Sequence, residues 1–419
     1  MAVPGAEDHL VGAVRAGRAH HVRELLWAGA DPETADTDGT PVLCLAVGAF
    51  DGYVAEALLD AGADPLRPLS DGTTPLLRAV ASGNAGITGA LLARAGERLA
   101  EEDREGLLAC ARRWSRTGAE AGLGRATGAT GPAGRRRVVD RYHATEYDMI
   151  TLGGGSVYDG HLAVLTGLEA LFGVRRSFEE LLARALARAD GTHADWSETT
   201  AVLGDRLDDE TWEAALSLRS DPDPLRRLFA ADLVWHFVLI DGPPRAEEYL
   251  FERRALDVLL PWAVEETDPA VLVSVLNGLG ELDDPRTEEV VLAHRAHPDP
   301  RVRSKVPGAL RRTRTAFTHP EAWEVLAALA RDPDARVRAT VCEHLYAFQG
   351  RCRAASDILA GFLHEDDQMV RIKAVSGLAD ADDPRCVEGA RLIGPVDRTE
   401  WPDTWLLDAV WRYERRRSG

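Results

Sequence analysis

Between Asp299 and Leu378 the chain states one pattern three times: DPRVRSKVPGAL (299–310), DARVRATVCEHL (334–345) and DQMVRIKAVSGL (367–378). Each copy sets an Asp three residues before a Val, an Arg directly after that Val, and a Leu eight residues beyond it. Val302, Val337 and Val370 follow one another at steps of 35 and 33. The spacing describes a turn feeding an amphipathic helix, with the Asp placed to accept the free amides of the helix start. A unit of that size cannot bury its apolar face alone, so copies at a near-constant period must stack on one another.

Two weaker copies precede these, DPLRRLFAADL (223–233) and DPAVLVSVLNGL (268–279), which extends the anchors to Leu225, Val271, Val302, Val337 and Val370. A further helix is expected before each, over 209–219, 246–264, 286–296, 320–330 and 354–363, with 384–393 and 402–416 as a final pair. Over about 205–393 these residues resemble the short bacterial kind of HEAT repeat. The resemblance implies that Asp268, Asp299, Asp334 and Asp367, with Arg226, Arg303, Arg338 and Arg371, fasten neighbouring repeats, and that the ladder breaks at Leu272. Trp405 and Trp411 are expected to seal the end of the array.

A different repeat occupies the N-terminal part. LLWAGADP (25–32) recurs as LLDAGADP (58–65), and DGTPVLCLAV (38–47) as DGTTPLLRAV (71–80). Asp-Gly makes a turn, Thr caps a helix, Pro takes the first helical position where no amide is missed, and Gly ends the second helix. These motifs resemble the ankyrin repeat, although Leu43 and Leu77 stand where that family usually has His. The expected organisation is all-α: an ankyrin-like array over 1–114 closed by a capping helix at 101–114, a flexible Gly/Ala-rich linker over 115–136, a helical connecting region over 137–204, and a HEAT-like array over 205–419. Within the connecting region, Ser177 and Glu180 have capping-box spacing. Gly153-Gly154-Gly155-Ser156 lacks the following Lys-Ser/Thr of a phosphate loop and reads as a tight turn.

Composition bounds the function. Net charge is −19 and the pI about 5.1, which argues against general nucleic-acid binding. No apolar run approaches a membrane span, and the odd, unpaired cysteines fit a reducing interior, so a cytoplasmic protein is expected. The histidines include no set at metal spacing, and no nucleophile–base grouping or cofactor motif stands out. No catalytic residue, metal or cofactor is therefore assigned. The expected function is a non-enzymatic adaptor that binds one or two protein partners on concave helical surfaces.

The residues singled out for a partner are Arg301, Lys305 and Arg312. No acidic residue lies between Pro300 and Pro320, and at about 100° per residue these three share one stripe of a helix. An acidic partner segment or phosphate would suit the stripe, and Pro307 is expected to kink the helix or end its first turn. Two alternatives rest on fold analogy with other HEAT-like proteins: an alkylated-base DNA glycosylase using Trp235, Trp262 and Trp323, and a bilin lyase.

Overall fold

In the computed structural model, residues 6–140, 142–240, 250–282, 284–312, 320–346, 352–394 and 408–418 are described. The chain divides into two compact units, Met1–Ala214 and Ala215–Gly419.

The first unit opens with helix pairs: α1 (Ala6–Arg15) with α2 (Ala19–Trp27), α3 (Val42–Gly48) with α4 (Gly52–Asp60), and α5 (Pro75–Ser82) with α6 (Ala85–Ala95). Their starts follow the local chemistry. Thr74 accepts the Leu77 amide at 3.1 Å with Pro75 in the first turn, while Asp51 and Asn84 cap α4 and α6. The earlier copy differs: Pro41 itself takes the N-cap position of α3, because the chain before it is held by Val42 N–H donating to Thr34 O. Successive first helices pack on one another, α1 on α3 and α3 on α5, burying Leu10, Val42, Leu43 and Leu76.

The array does not stop at residue 114, and no linker follows it. Helix α7 (Glu101–Thr117) buries Leu107, Ala111 and Trp114, and α8 (Ala119–Thr127) buries Leu123. The connecting region is not wholly helical either. Three antiparallel strands, β1 (Gly134–Asp140), β2 (Thr145–Leu152) and β3 (Gly155–Tyr158), form a sheet in the order β1-β2-β3. β2 and β3 bury residues on both faces, whereas β1 is largely exposed. Ile150 and Val157 join the core that contains Leu123, while Tyr147 and Tyr158 pack with Ala163 and Ala194. The triple arginine that reads as a solvated run is strand: Arg135 pairs with Asp148 at 3.1 Å, and Arg137 with Glu146 at 2.8 Å and Asp190 at 2.6 Å.

Gly153 and Gly154 form the two-residue β2–β3 turn, with φ of 60° and 79° and Leu152 facing Gly155. Positive φ at both central positions is the hairpin geometry that glycine and asparagine adopt most easily. We expect Gly154→Ala to cost about 1–2 kcal/mol in thermal unfolding of the full chain, since a Cβ meets no neighbour there and only the left-handed backbone is charged for. Gly154→Asn should recover most of that loss; an alanine variant as stable as wild type would refute the turn assignment.

Helices α9 (His161–Leu171), α10 (Phe178–Leu186) and α11 (Ala194–Gly204) complete the first unit, α9 packing on both α6 and α7. The Ser177–Glu180 capping box forms as expected at the start of α10.

Helix α12 (Asp209–Ser217) contains the division between the units. The second unit continues with α13 (Pro224–Ile240), α14 (Leu250–Glu265), α15 (Pro269–Glu281), α16 (Pro285–Leu292), α17 (Pro300–Arg303) and α18 (Val306–Arg312). It then runs through α19 (Pro320–Leu329), α20 (Ala335–Tyr346), α21 (Arg353–Gly361), α22 (Gln368–Asp380), α23 (Arg385–Ile393) and α24 (Asp408–Ser418). The second helix of each expected pair stacks on the next, α13 on α15, α15 on α18, α18 on α20, and α20 on α22. Val271, Val302, Val337 and Val370 are buried, whereas the first anchor, Leu225, is only half-buried. Trp401 and Trp405 lie outside the described residues, and Trp411 is 58% exposed; Ala409, Val410 and Tyr413 make the buried face of α24 instead. Among the described residues no helix is long and apolar enough to cross a membrane.

Candidate functional site

The charged residues of the second-unit repeats are largely used up by the fold. Asp268, Asp299, Asp334 and Asp367 cap their own helices; Asp299, for example, accepts the Arg301 amide at 2.8 Å. They do not fasten repeats. The fastener is the arginine four residues after each cap, acting on the acid two residues before the next cap. Arg303 holds Asp332 through Nε and Nη2 at 2.7 and 2.8 Å. Arg338 holds Glu365, and Arg227 holds Glu266 at 3.0 and 2.9 Å. The same arginines donate Nη1 to two carbonyls of their own turn: His297 and Pro298 for Arg303, Asp332 and Pro333 for Arg338, Asp221 and Pro222 for Arg227. Arg371 clasps Glu365 O and Asp366 O in the same way.

This corrects the sequence register by one residue. The fastener in the first copy is Arg227, whereas Arg226 bonds Asp221 in its own turn. The break at Leu272 falls where expected, and its physical reason is now visible. The matching acceptor position holds His297, whose Nδ1 already takes the Asp299 amide at 3.1 Å, so neither half of a clasp is present. Burial opposes ionisation of Glu266, yet the bonds from Arg227, the Asp268 amide and Trp262 hold its carboxyl below the ordinary range. Trp262 is therefore a core residue, donating its indole N–H to Glu266 at 3.0 Å.

Arg301 and Lys305 do not share one unbroken helix. The helix breaks at Ser304–Lys305, one turn before Pro307, which has no amide to return to Arg303. Arg301 is exposed and folds back onto its own cap, with Nη2 2.7 Å from Asp299; Arg336 does the same with Asp334 and Arg385 with Asp383. The side chain of Arg312 lies outside the described residues. Lys305 is available to a partner. It is half-buried, its ammonium pKa is lowered by that burial, and it has no ion-pair partner among the described residues. It lines an open cavity of about 350 Å³ with Asn277, Thr340 and Glu343, the last of which pairs with Lys373 at 2.6 Å.

The first unit holds buried polar groups that the sequence did not announce. His193 caps α11 and lies between Asp159, at 3.0 Å from Nε2, and Asp195. Arg188 closes the set at 2.6 Å from Asp159 and 3.0 Å from Asp195. Burial alone would lower the His193 pKa, but the two carboxylates raise it to about 8. Every member is paired, so the quartet locks β3, α9 and α11 together rather than offering a reactive group. Glu169, buried, is likewise ringed by Arg176 at 2.6 Å and Arg184 at 2.8 Å.

Glu198 differs. It is half-buried, stands on α11 facing α6, and has no hydrogen-bond or ion-pair partner among the described residues. Burial pushes its carboxyl up to about 7, Asp205 adding to the rise and His143 opposing it. Space for the carboxyl exists because Gly167 has no side chain: a Cβ there would stand 2.3 Å from Glu198 Oε1. Cavities of about 490 and 580 Å³ open on its two sides, both floored by Ala85, Gly89 and Ala93 of α6. Its isolation depends on three separate helices, and no local motif marks it. Among the described residues, no group of His, Cys, Asp and Glu could hold a metal ion.

No known family model matches the chain, and no curated protein matches it at a significant level. Among solved structures, the Escherichia coli protein YibA is similar at 17% identity and a TM-score of 0.42, covering 57% of this chain and 93% of that one. An engineered protein from a structural genomics consortium aligns over 100% of both chains at 14% identity and a TM-score of 0.42. A chain of the Pds5–Scc1 complex, described in connection with cohesin function, aligns at 12% identity and a TM-score of 0.33, over 99% of this chain and 68% of that one.

Proposed function

We propose that this protein is a non-enzymatic scaffold for protein–protein contacts, made of ankyrin-like helix pairs in its first unit and HEAT-like pairs in its second. Its second-unit site is the surface around Lys305, and the partner there is an acidic protein segment. One observation carries the reading: the recurrent arginines are consumed by caps and clasps, whereas Lys305 faces an open cavity without a counter-ion among the described residues. A half-buried ammonium in that setting gains from an incoming carboxylate what the fold does not supply.

The test is affinity capture with the full chain, wild type against Lys305→Glu, read by quantitative mass spectrometry. A protein retained in stoichiometric amount by the wild type should fall at least about tenfold with the variant. Equal retention by both would remove Lys305 from the site. A gel shift at ~50 mM salt, where phosphate-led binding is strongest, should show no retardation of DNA; retardation there would favour a nucleic-acid role instead.

A further inference from the structure

We propose that the groove along α6 in the first unit is a docking site for a lysine or arginine side chain carried on an apolar segment of a partner protein, with Glu198 as its anion. The inference stands on different residues from the Lys305 surface and does not depend on it.

The geometry selects the occupant. The groove wall toward α9 is apolar, with Leu92, Leu168 and Phe172, and suits the methylene stem of a long basic side chain. The floor is shallow where α6 presents Gly89 and Ala93; a Cβ built at Gly89 meets nothing within 4 Å. Glu198 stands where the two cavities meet.

The charges around the groove leave a deficit of cations at that point. Arg94 of α6 is engaged by Asp60 of α4, and Arg104 of α7 lies 3.8 Å from Glu101 and over the Phe172 ring. His143, from the β1–β2 connection, is bound to Asp140 at 3.1 Å. Glu56 of α4 is 3.7 Å from Arg23 and accepts from Tyr142, and Tyr147 and Asp205 add only neutral or negative groups. Among the described residues no cation is bonded to Glu198, His143 acting on it only at a distance, so its carboxylate is open to an incoming cation. A guanidinium or ammonium arriving on an apolar stem supplies the missing charge while covering the leucines.

The test uses the immobilised full-length chain, panned above pH 7 against a random displayed peptide library, with Glu198→Gln and Gly89→Leu panned in parallel. Peptides with a lysine or arginine beside apolar residues should be enriched on the wild type. Their binding should weaken at least about tenfold on Glu198→Gln, which removes the charge, and on Gly89→Leu, which fills the groove and leaves the charge. Glu198→Gln removes an unpaired, half-buried carboxylate, so unfolding is not expected to weaken binding, and circular dichroism of both variants checks the fold. Enrichment of acidic or uncharged peptides, equal binding to the variants, or no enrichment at all would overturn the proposal.

Discussion

Replacing Arg303 with alanine should cost the second unit about 3–5 kcal/mol, the range for removing one partner of a buried ion pair. The side chains of Arg303 and Asp332 are only 14% and 7% exposed. Truncation leaves Asp332 charged and buried, and it also strips the donors from His297 O and Pro298 O. Arg301→Ala, two residues away, should cost less than about 1 kcal/mol, because Arg301 is exposed and bound only to its own cap. The same contrast separates Arg227→Ala, severe, from Arg226→Ala, mild. Urea unfolding of the full chain, with hydrogen exchange followed over α17 to α20, measures both. Equal shifts for Arg303→Ala and Arg301→Ala would sink the clasp assignment. The Asp332 carboxyl is held below its ordinary pKa, chiefly by its hydrogen bond from Arg303. Its contribution is therefore complete above the unfolded carboxylate pKa and is lost as pH falls through the lowered folded value.

Glu198→Gln should stabilise the protein, and only at higher pH. An ordinary glutamate ionises near 4.5, whereas burial moves Glu198 to about 7. Below 4.5 both folded and unfolded states are protonated and the group costs nothing. Between those values the unfolded chain ionises while the folded chain does not, so stability falls as pH rises. Above 7 the penalty levels at roughly 2–4 kcal/mol. The glutamine variant should thus match wild type near pH 4 and exceed it by that amount above pH 7. His161 and His193, which burial and carboxylates move to about 4 and about 8, titrate in both proteins and cancel in the difference. A gain that does not change with pH would mean that Glu198 is not an acid whose ionisation the fold opposes. A residue that destabilises its own fold is a mark of a site kept for binding.

Legibility followed the range of the interaction. The helix pairs of the second unit, their Asp caps and the break at Leu272 were readable because each depends on residues a few positions apart. The Gly153–Gly154 turn was readable for the same reason. Arg301 and Lys305 do not lie together because the helix breaks before Pro307 and because Arg301 answers to Asp299 two residues away. The sheet was missed because Arg135–Arg137 looks like a solvated run until the acidic strand opposite it is in place. The segment 115–136 looked like a linker since its glycines and alanines carry no apolar period, yet the single Leu123 suffices to bury α8 beneath that sheet.

By itself, the sequence determined a helical chain that repeats, where its helices begin, and that its acidic balance leaves few cations to spare. Those properties live in period, caps and charge count, all of which are local or additive. Only the tertiary structure decided which arginine fastens which turn, that three strands sit between helices of the first unit, and that Lys305 and Glu198 have no partner among the described residues. Pairing and desolvation depend on groups brought together from distant positions. Being unpaired is a property of the whole neighbourhood, which no stretch of sequence records.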